Sequence, residues 1–215
     1  MRARLRTPLA LAAAVAIATT AAACGGGGSG DKSDKTKPAA QKPSSPDYAG
    51  AVATPPKPAP SLALADYTGK PYDISKRNGK VRLVTFLYTH CPDVCPTIVS
   101  NLKIAQSKLG TKANDLDIVA VSVDPKGDTP KNVKAFVTAH AMVGRMRYLV
   151  GAKDRLGQTW KTWGITAQPD ATNPELVEHA APIYGVAASG RITTLYPANF
   201  KPEQIVHDVP LLAAQ

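Results

Sequence analysis

From Val81 to Tyr88 the chain is a run of apolar, β-branched and aromatic residues interrupted only by Arg82 and Thr85. That length and makeup predict a central strand covered on both faces. The period then changes: Ile98, Leu102, Ala105 and Leu109 recur at helical spacing, Pro96 suits a first helical position, and Gly110 supplies a stop. Between the two periods lie Cys91 and Cys95, four residues apart and each followed by proline.

The pattern continues downstream. Leu62–Ala65 and Pro71–Ile74 flank an Asp-Tyr-Thr-Gly turn as a hairpin, and Leu116–Val123 reads as a second buried strand. Thr129-Pro130 is a cap and first turn opening a helix to about His140. Tyr148–Val150 predicts a short strand, Asp154–Trp163 a helix stopped by Gly164, and 167–178 an irregular loop. Tyr184–Ala188 and Arg191–Tyr196 form a second hairpin around Ser189-Gly190, and a helix runs from Pro202 to about Leu212. Strands alternating with helices, closed by a hairpin and a helix, indicate an α/β layered sheet.

Before Val81 the composition divides the chain. Residues 1–23 carry Arg2, Arg4 and Arg6, a short apolar run and small residues ahead of Cys24, the pattern of a bacterial export signal. Ala21-Ala22-Ala23-Cys24 resembles a lipobox, although the bulky aliphatic usual at the position of Ala21 is missing. Cys24 is accordingly expected to be lipidated and to anchor the exported chain. Residues 24–60, rich in glycine and then proline, are expected to form a disordered tether spanning roughly 30 to 40 Å. Residues 61–215 remain as one domain. The formal net charge of +10 falls to +7 once the three signal arginines leave. Outside the cell such a basic domain suits acidic partners or anionic lipid rather than nucleic acid.

With Cys24 assigned to the anchor, the three cysteines resolve into one anchor and one functional pair. At a strand's carboxyl end and a helix's amino end, the helix dipole and unpaired N–H groups favour thiolate over thiol. Such a pair could close into a disulfide or share one soft metal ion. Of the four histidines, His140 and His207 fall on helices among charged neighbours and read as surface residues; His90 adjoins Cys91. His179 lies in the loop leading into the penultimate strand, where α/β sheets assemble sites.

Three blocks, TFLYTHCPDVCPTIV, VSVDPKGDTPKNVKAFV and EHAAPIYGVAASGRI, occur in order and closely resemble the signatures of the Sco/SenC family. The resemblance runs from about Leu62 to the C-terminus. It implies a thioredoxin-like central sheet flanked by helices, with an extra N-terminal β-hairpin. It also implies one copper ion, Cu(I) or Cu(II), held by Cys91, Cys95 and His179. The function so implied is a membrane-tethered extracytoplasmic copper chaperone that helps assemble the CuA centre of cytochrome c oxidase. The alternative is a thiol–disulfide oxidoreductase, in which Cys91 and Cys95 are the redox-active pair acting on CuA-site or other disulfides. Implied partners are the oxidase subunit carrying CuA, a copper donor, a thiol reductant and the membrane. Asp93 matches the motif's acidic residue, while Asp124 is expected to shape its loop. Pro182, eight residues before Gly190, falls where thioredoxin-like proteins often place a cis-proline facing the cysteines. Ala180 departs from the serine or threonine frequent in the family.

Overall fold

In the computed structural model, which describes residues 46–76 and 78–215, seven consecutive residues of one strand are fully buried: β4, Val81–Leu87. It pairs in parallel with β5 (Leu116–Ser122), from Val81↔Leu116 to Leu87↔Ser122, and β5 pairs in parallel with β6 (Met146–Val150). On its other side β4 meets β9 (Ile183–Val186) antiparallel, followed by β10 (Arg191–Tyr196) and β1 (Ala51–Pro58). The predicted amino-terminal hairpin is present as β2 (Ala63–Asp66) and β3 (Pro71–Asp73), joined to the sheet through β6. The eight-stranded order is β1-β10-β9-β4-β5-β6-β2-β3.

Among the described residues four α-helices complete the layers: α1 (Val94–Leu109), α2 (Pro130–Ala139), α3 (Lys153–Trp163) and α4 (Pro202–Ala213). Two of the predicted start and stop signals act through particular contacts. The Thr129 hydroxyl accepts from the Asn132 N–H at 3.2 Å with Pro130 behind it, and Gly164 takes the left-handed conformation after α3. Helix α1 buries Cys95, Ile98, Val99, Leu102, Ala105 and Leu109. It begins at Val94 rather than at Pro96, because the Asp93 carboxylate caps the Val94 N–H. Phe86 of β4 and Tyr184 of β9 both pack against Trp163 of α3, with centroids 6.0 and 5.2 Å from it.

Two segments differ from expectation. Residues 51–58, expected to be tether, form the edge strand β1 against β10, and the chain is already fixed at Ala49. Pro55, Pro56 and Pro58 donate no hydrogen bonds and the strand is mostly exposed, so it carries no alternation that a sequence pattern can detect. Residues 24–45 of the expected tether and the signal at 1–23 lie outside the described residues. The expected loop at 167–178 contains a separate hairpin, β7 (Ala167–Pro169) paired with β8 (Val177–His179). Its turn is held by Asp170 Oδ1, which accepts from the Thr172 N–H, the Thr172 hydroxyl and the Asn173 N–H.

Candidate functional site

Strand β4 delivers the chain to the carboxyl end of the sheet, where Tyr88–Pro92 turn back toward α1. The Cys91 N–H closes this turn on Tyr88 O at 3.5 Å, and Thr97 Oγ1 donates to Asp93 O at 3.0 Å. Cys95 lies in the first turn of α1 with no exposed surface, whereas Cys91 is part-exposed. Both thiols are free. The Cys95 N–H points at Cys91 Sγ, 3.3 Å away. One sulfur is therefore seated on the helix amino terminus, with the other beneath it.

That seating divides the acidity between them. Hydrogen bonding from the Cys95 thiol, reinforced by the Cys95 and Asp93 N–H groups, lowers the Cys91 pKa to about 5 against the opposing effect of burial. Cys95 moves the opposite way, since its proton is shared with the Cys91 thiolate and burial disfavours a second charge. The pair thus holds one negative charge at neutral pH. Tyr88, beside it, is pushed up to about 12 mainly by burial.

His179 ends β8 and is half-buried, its ring set edge-on to Tyr88 with centroids 5.6 Å apart. Its Nδ1 lies 3.0 Å from Ala180 O, and because a carbonyl only accepts, Nδ1 carries the proton. Burial keeps the imidazole neutral, leaving Nε2 with a free lone pair. The position of Ala180, where the sequence departs from the family, contributes through its backbone. The structure brings Cys91 and Cys95 together and places His179 one aromatic ring away. Among the described residues no three His, Cys, Asp or Glu side chains are close enough to hold a metal ion.

The surrounding residues shape the turn. Asp124 Oδ1 accepts from the Gly127 N–H at 2.8 Å and the Lys126 N–H at 3.2 Å, the expected loop-shaping role. Gly127 is required there, because a Cβ would lie 2.0 Å from Asp124 Oδ2 and 3.1 Å from His90 Nδ1. The peptide before Pro182 is trans, the only cis bond among the described residues being Thr54–Pro55, so Pro182 is an ordinary strand-entry proline. His140 bonds to Phe136 O within its own helix region, and His207 pairs with Asp208. Cys24 lies outside the described residues. Sequence reasoning did not single out Asp128 or Tyr88. The first belongs to the SVDPKGDTP block, but its burial under the cysteine turn is visible only in the folded sheet. A cleft of about 790 Å³, lined by residues including Lys80, Leu116 and Met146, opens at the opposite ends of β4–β6, far from this chemistry.

Comparison with known proteins bears on this geometry. The SCO1/SenC family model matches residues 53–214. The chain belongs to this family. The match begins inside β1, in agreement with the structural boundary and ahead of Ser61. Apo Sco1 from Thermus thermophilus is 32% identical, with a TM-score of 0.67 over 77% of this chain and 96% of that one. Bradyrhizobium japonicum ScoI, solved with copper bound, is 26% identical, with a TM-score of 0.63 over 73% of this chain and 99% of that one. A putative copper-binding protein of Stutzerimonas stutzeri is 28% identical over 141 residues, 64% of this chain and 64% of that protein's length. The fold is thioredoxin-like, as these SCO1/SenC structures are. Chemically, the site offers two soft sulfurs, one of them ionised, and a neutral imidazole near them, a donor set matched to a soft, low-coordinate metal.

Proposed function

We propose that this protein is a copper chaperone of the extracytoplasmic face of a bacterial membrane, anchored through Cys24, that helps assemble the CuA centre of cytochrome c oxidase. The observation that carries the reading is the thiolate–thiol pair seated on the amino terminus of α1 with the free Nε2 of His179 nearby. Copper is the cargo. Cys91, Cys95 and His179 would hold it, and two thiolates and one imidazole form an open set from which a soft ion passes by ligand exchange. Binding displaces the remaining thiol proton, so loading requires the reduced pair. The copper-bound Bradyrhizobium japonicum relative and the oxidase role implied by the Sco/SenC resemblance support this assignment. The partners are the CuA-bearing oxidase subunit, a copper donor and a thiol reductant.

A second reading, thiol–disulfide exchange, is favoured by the asymmetry of the pair. The part-exposed Cys91 thiolate would attack a target disulfide, forming a mixed disulfide and expelling one target thiolate. Cys95, giving up its proton, would then attack Cys91 Sγ, releasing the second target thiolate; the target gains two electrons and the pair becomes a disulfide. An anaerobic Cu(I) competition titration of the reduced protein beside its His179→Ala variant separates the readings. Tight one-to-one binding that weakens in the variant is expected. Weak binding that the variant leaves unchanged would remove the chaperone assignment in favour of the reductase.

A further inference from the structure

At the end of the sheet away from the thiols, the cleft of about 790 Å³ has no part in either reaction above. It opens where β4, β5 and β6 begin, whereas Cys91 follows the carboxyl end of β4. Four basic side chains line it, Lys70, Lys80, Arg145 and Arg147, against the carboxylates of Asp66 and Asp117. Both carboxylates are already engaged. Asp66 Oδ2 pairs with Arg147 Nη1 at 3.3 Å, and Asp117 Oδ1 lies 3.7 Å from Lys80 Nζ. Among the described residues neither Arg145 nor Lys70 has a carboxylate within ion-pair distance.

Arg145 is nevertheless held in place. Its Nε donates to Gln106 Oε1 at 2.7 Å and its Nη2 to the Ser107 hydroxyl at 2.9 Å, while Gln106 Nε2 returns a bond to Arg145 O at 3.2 Å. The Arg145 N–H closes the turn after α2 on Met142 O at 3.0 Å. A guanidinium has five N–H donors, so these neutral partners leave most of the fork for a ligand. Oriented by neutral groups and carrying an uncompensated charge, Arg145 is pre-organised for an oxyanion that comes from outside the chain. With the Lys70 ammonium in the same cleft, a tetrahedral phosphate, which presents oxygens in several directions, fits better than a planar carboxylate. Val143, 57% exposed, lines the cleft beside them. A dissolved anion leaves that apolar side chain in water, whereas a bilayer interface buries it while the headgroups meet the cations.

We propose that this cleft binds phosphate-bearing anions through Arg145 and Lys70, and that its occupant is the headgroup layer of an anionic phospholipid surface. Cys91, Cys95 and His179 take no part, so the outcome of a copper titration does not bear on it. Seated by the cleft, the domain turns its thiol pair away from the bilayer, since the two lie at opposite ends of β4.

The test uses the full chain carrying Cys24→Ala, so that no lipid is attached, with Arg145→Gln, Lys70→Gln or Lys161→Gln added. Lys161 lies on α3 outside the cleft, and its replacement removes the same charge. Co-sedimentation with vesicles of mixed phosphatidylglycerol and phosphatidylcholine, beside vesicles of phosphatidylcholine alone, gives the partition coefficients. Arg145→Gln and Lys70→Gln should each lower partition onto the anionic vesicles about fivefold and leave that onto the zwitterionic vesicles unchanged, with Lys161→Gln close to the parent. The comparison among variants carries the result, because the apolar run and arginines of residues 1–23 are common to all. Equal losses in all three variants would reduce the effect to net charge, and no loss in the two cleft variants would leave the cleft without a role; either overturns the proposal. A calorimetric titration with inorganic phosphate distinguishes the source. Binding of phosphate that Arg145→Gln abolishes, with no partition onto vesicles, would assign the cleft to a dissolved phosphate compound and overturn the membrane occupant. If circular dichroism shows Arg145→Gln unfolded, Lys70→Gln decides alone, since no ion pair among the described residues depends on its side chain.

Discussion

A fragment beginning at Ser61, where composition places the domain boundary, should fold poorly beside one beginning at Pro46. The reason is Asp208, which is fully buried in α4 and accepts the Ala49 N–H at 2.8 Å, the Gly50 N–H at 2.9 Å and the Tyr196 hydroxyl at 2.8 Å. Gln204 Nε2 returns a bond to Ala49 O at 2.8 Å. Gly50 lies so close on Tyr196 that a Cβ would fall 2.4 Å from the ring. Starting at Ser61 deletes two backbone donors to a buried charge, worth about 1.5–3 kcal/mol each, and strips β1 from the β10 edge. The loss, about 3–6 kcal/mol from the carboxylate alone, is a large part of the roughly 5–15 kcal/mol that stabilises an ordinary domain. At about 2–4 °C per kcal/mol for a chain of this size, the shorter fragment should melt on the order of 10–20 °C lower. Circular dichroism melts of the two reduced fragments measure this directly. Midpoints within about 3 °C of each other would refute the claim that residues 46–60 belong to the folded unit, and Asp208 would have to be satisfied in some other way.

Three further outcomes follow from the site and the anchor. Since the Cys91 thiolate is the reactive species and its pKa is lowered to about 5, the rate of alkylation by iodoacetamide should stay flat from pH 8 to pH 6 and be half lost near pH 5, while an unperturbed thiol would already be failing below pH 8. The sign for stability is that of a depressed acid: the Cys91 contribution is complete above its ordinary thiol pKa and is lost as pH falls toward 5, so the reduced form weakens on acidification relative to the disulfide form. If reactivity instead follows an ordinary thiol, the seating of Cys91 on the helix is not felt by its sulfur. Cys24→Ala should move the protein from the membrane fraction to the soluble one; persistence on the membrane would exclude Cys24 as the anchor.

What the sequence made legible is local. The buried run of β4, the proline-flanked cysteine turn and the periodic face of α1 each lie within a few residues of the signal that predicts them, and the structure has all three. What it hid depends on distant partners. β1 is a strand only because β10 offers an edge, and its prolines mask the pattern that would betray it. β8 is three residues long, yet its pairing with β7 fixes where His179 stands relative to Tyr88. Asp128 and Asp208 carry no sign of burial in a linear chain. The first is buried by donors 6, 20 and 39 residues away and the second by backbone 158 and 159 residues away.

These two carboxylates perform the same kind of work at different places. A buried carboxylate held by several hydrogen bonds cannot shift without leaving donors unsatisfied, so each fixes the segments that meet on it. Asp208 fixes the start of the domain against α4, and Asp128 fixes the cysteine turn against β5 and β6. The thiol pair is then free to change its bonding, between dithiol, metal-bound and disulfide states, on a backbone that does not change with it. A site that exchanges a ligand needs that separation, because a turn that relaxed with each change of state would spend part of its binding energy on rearranging itself.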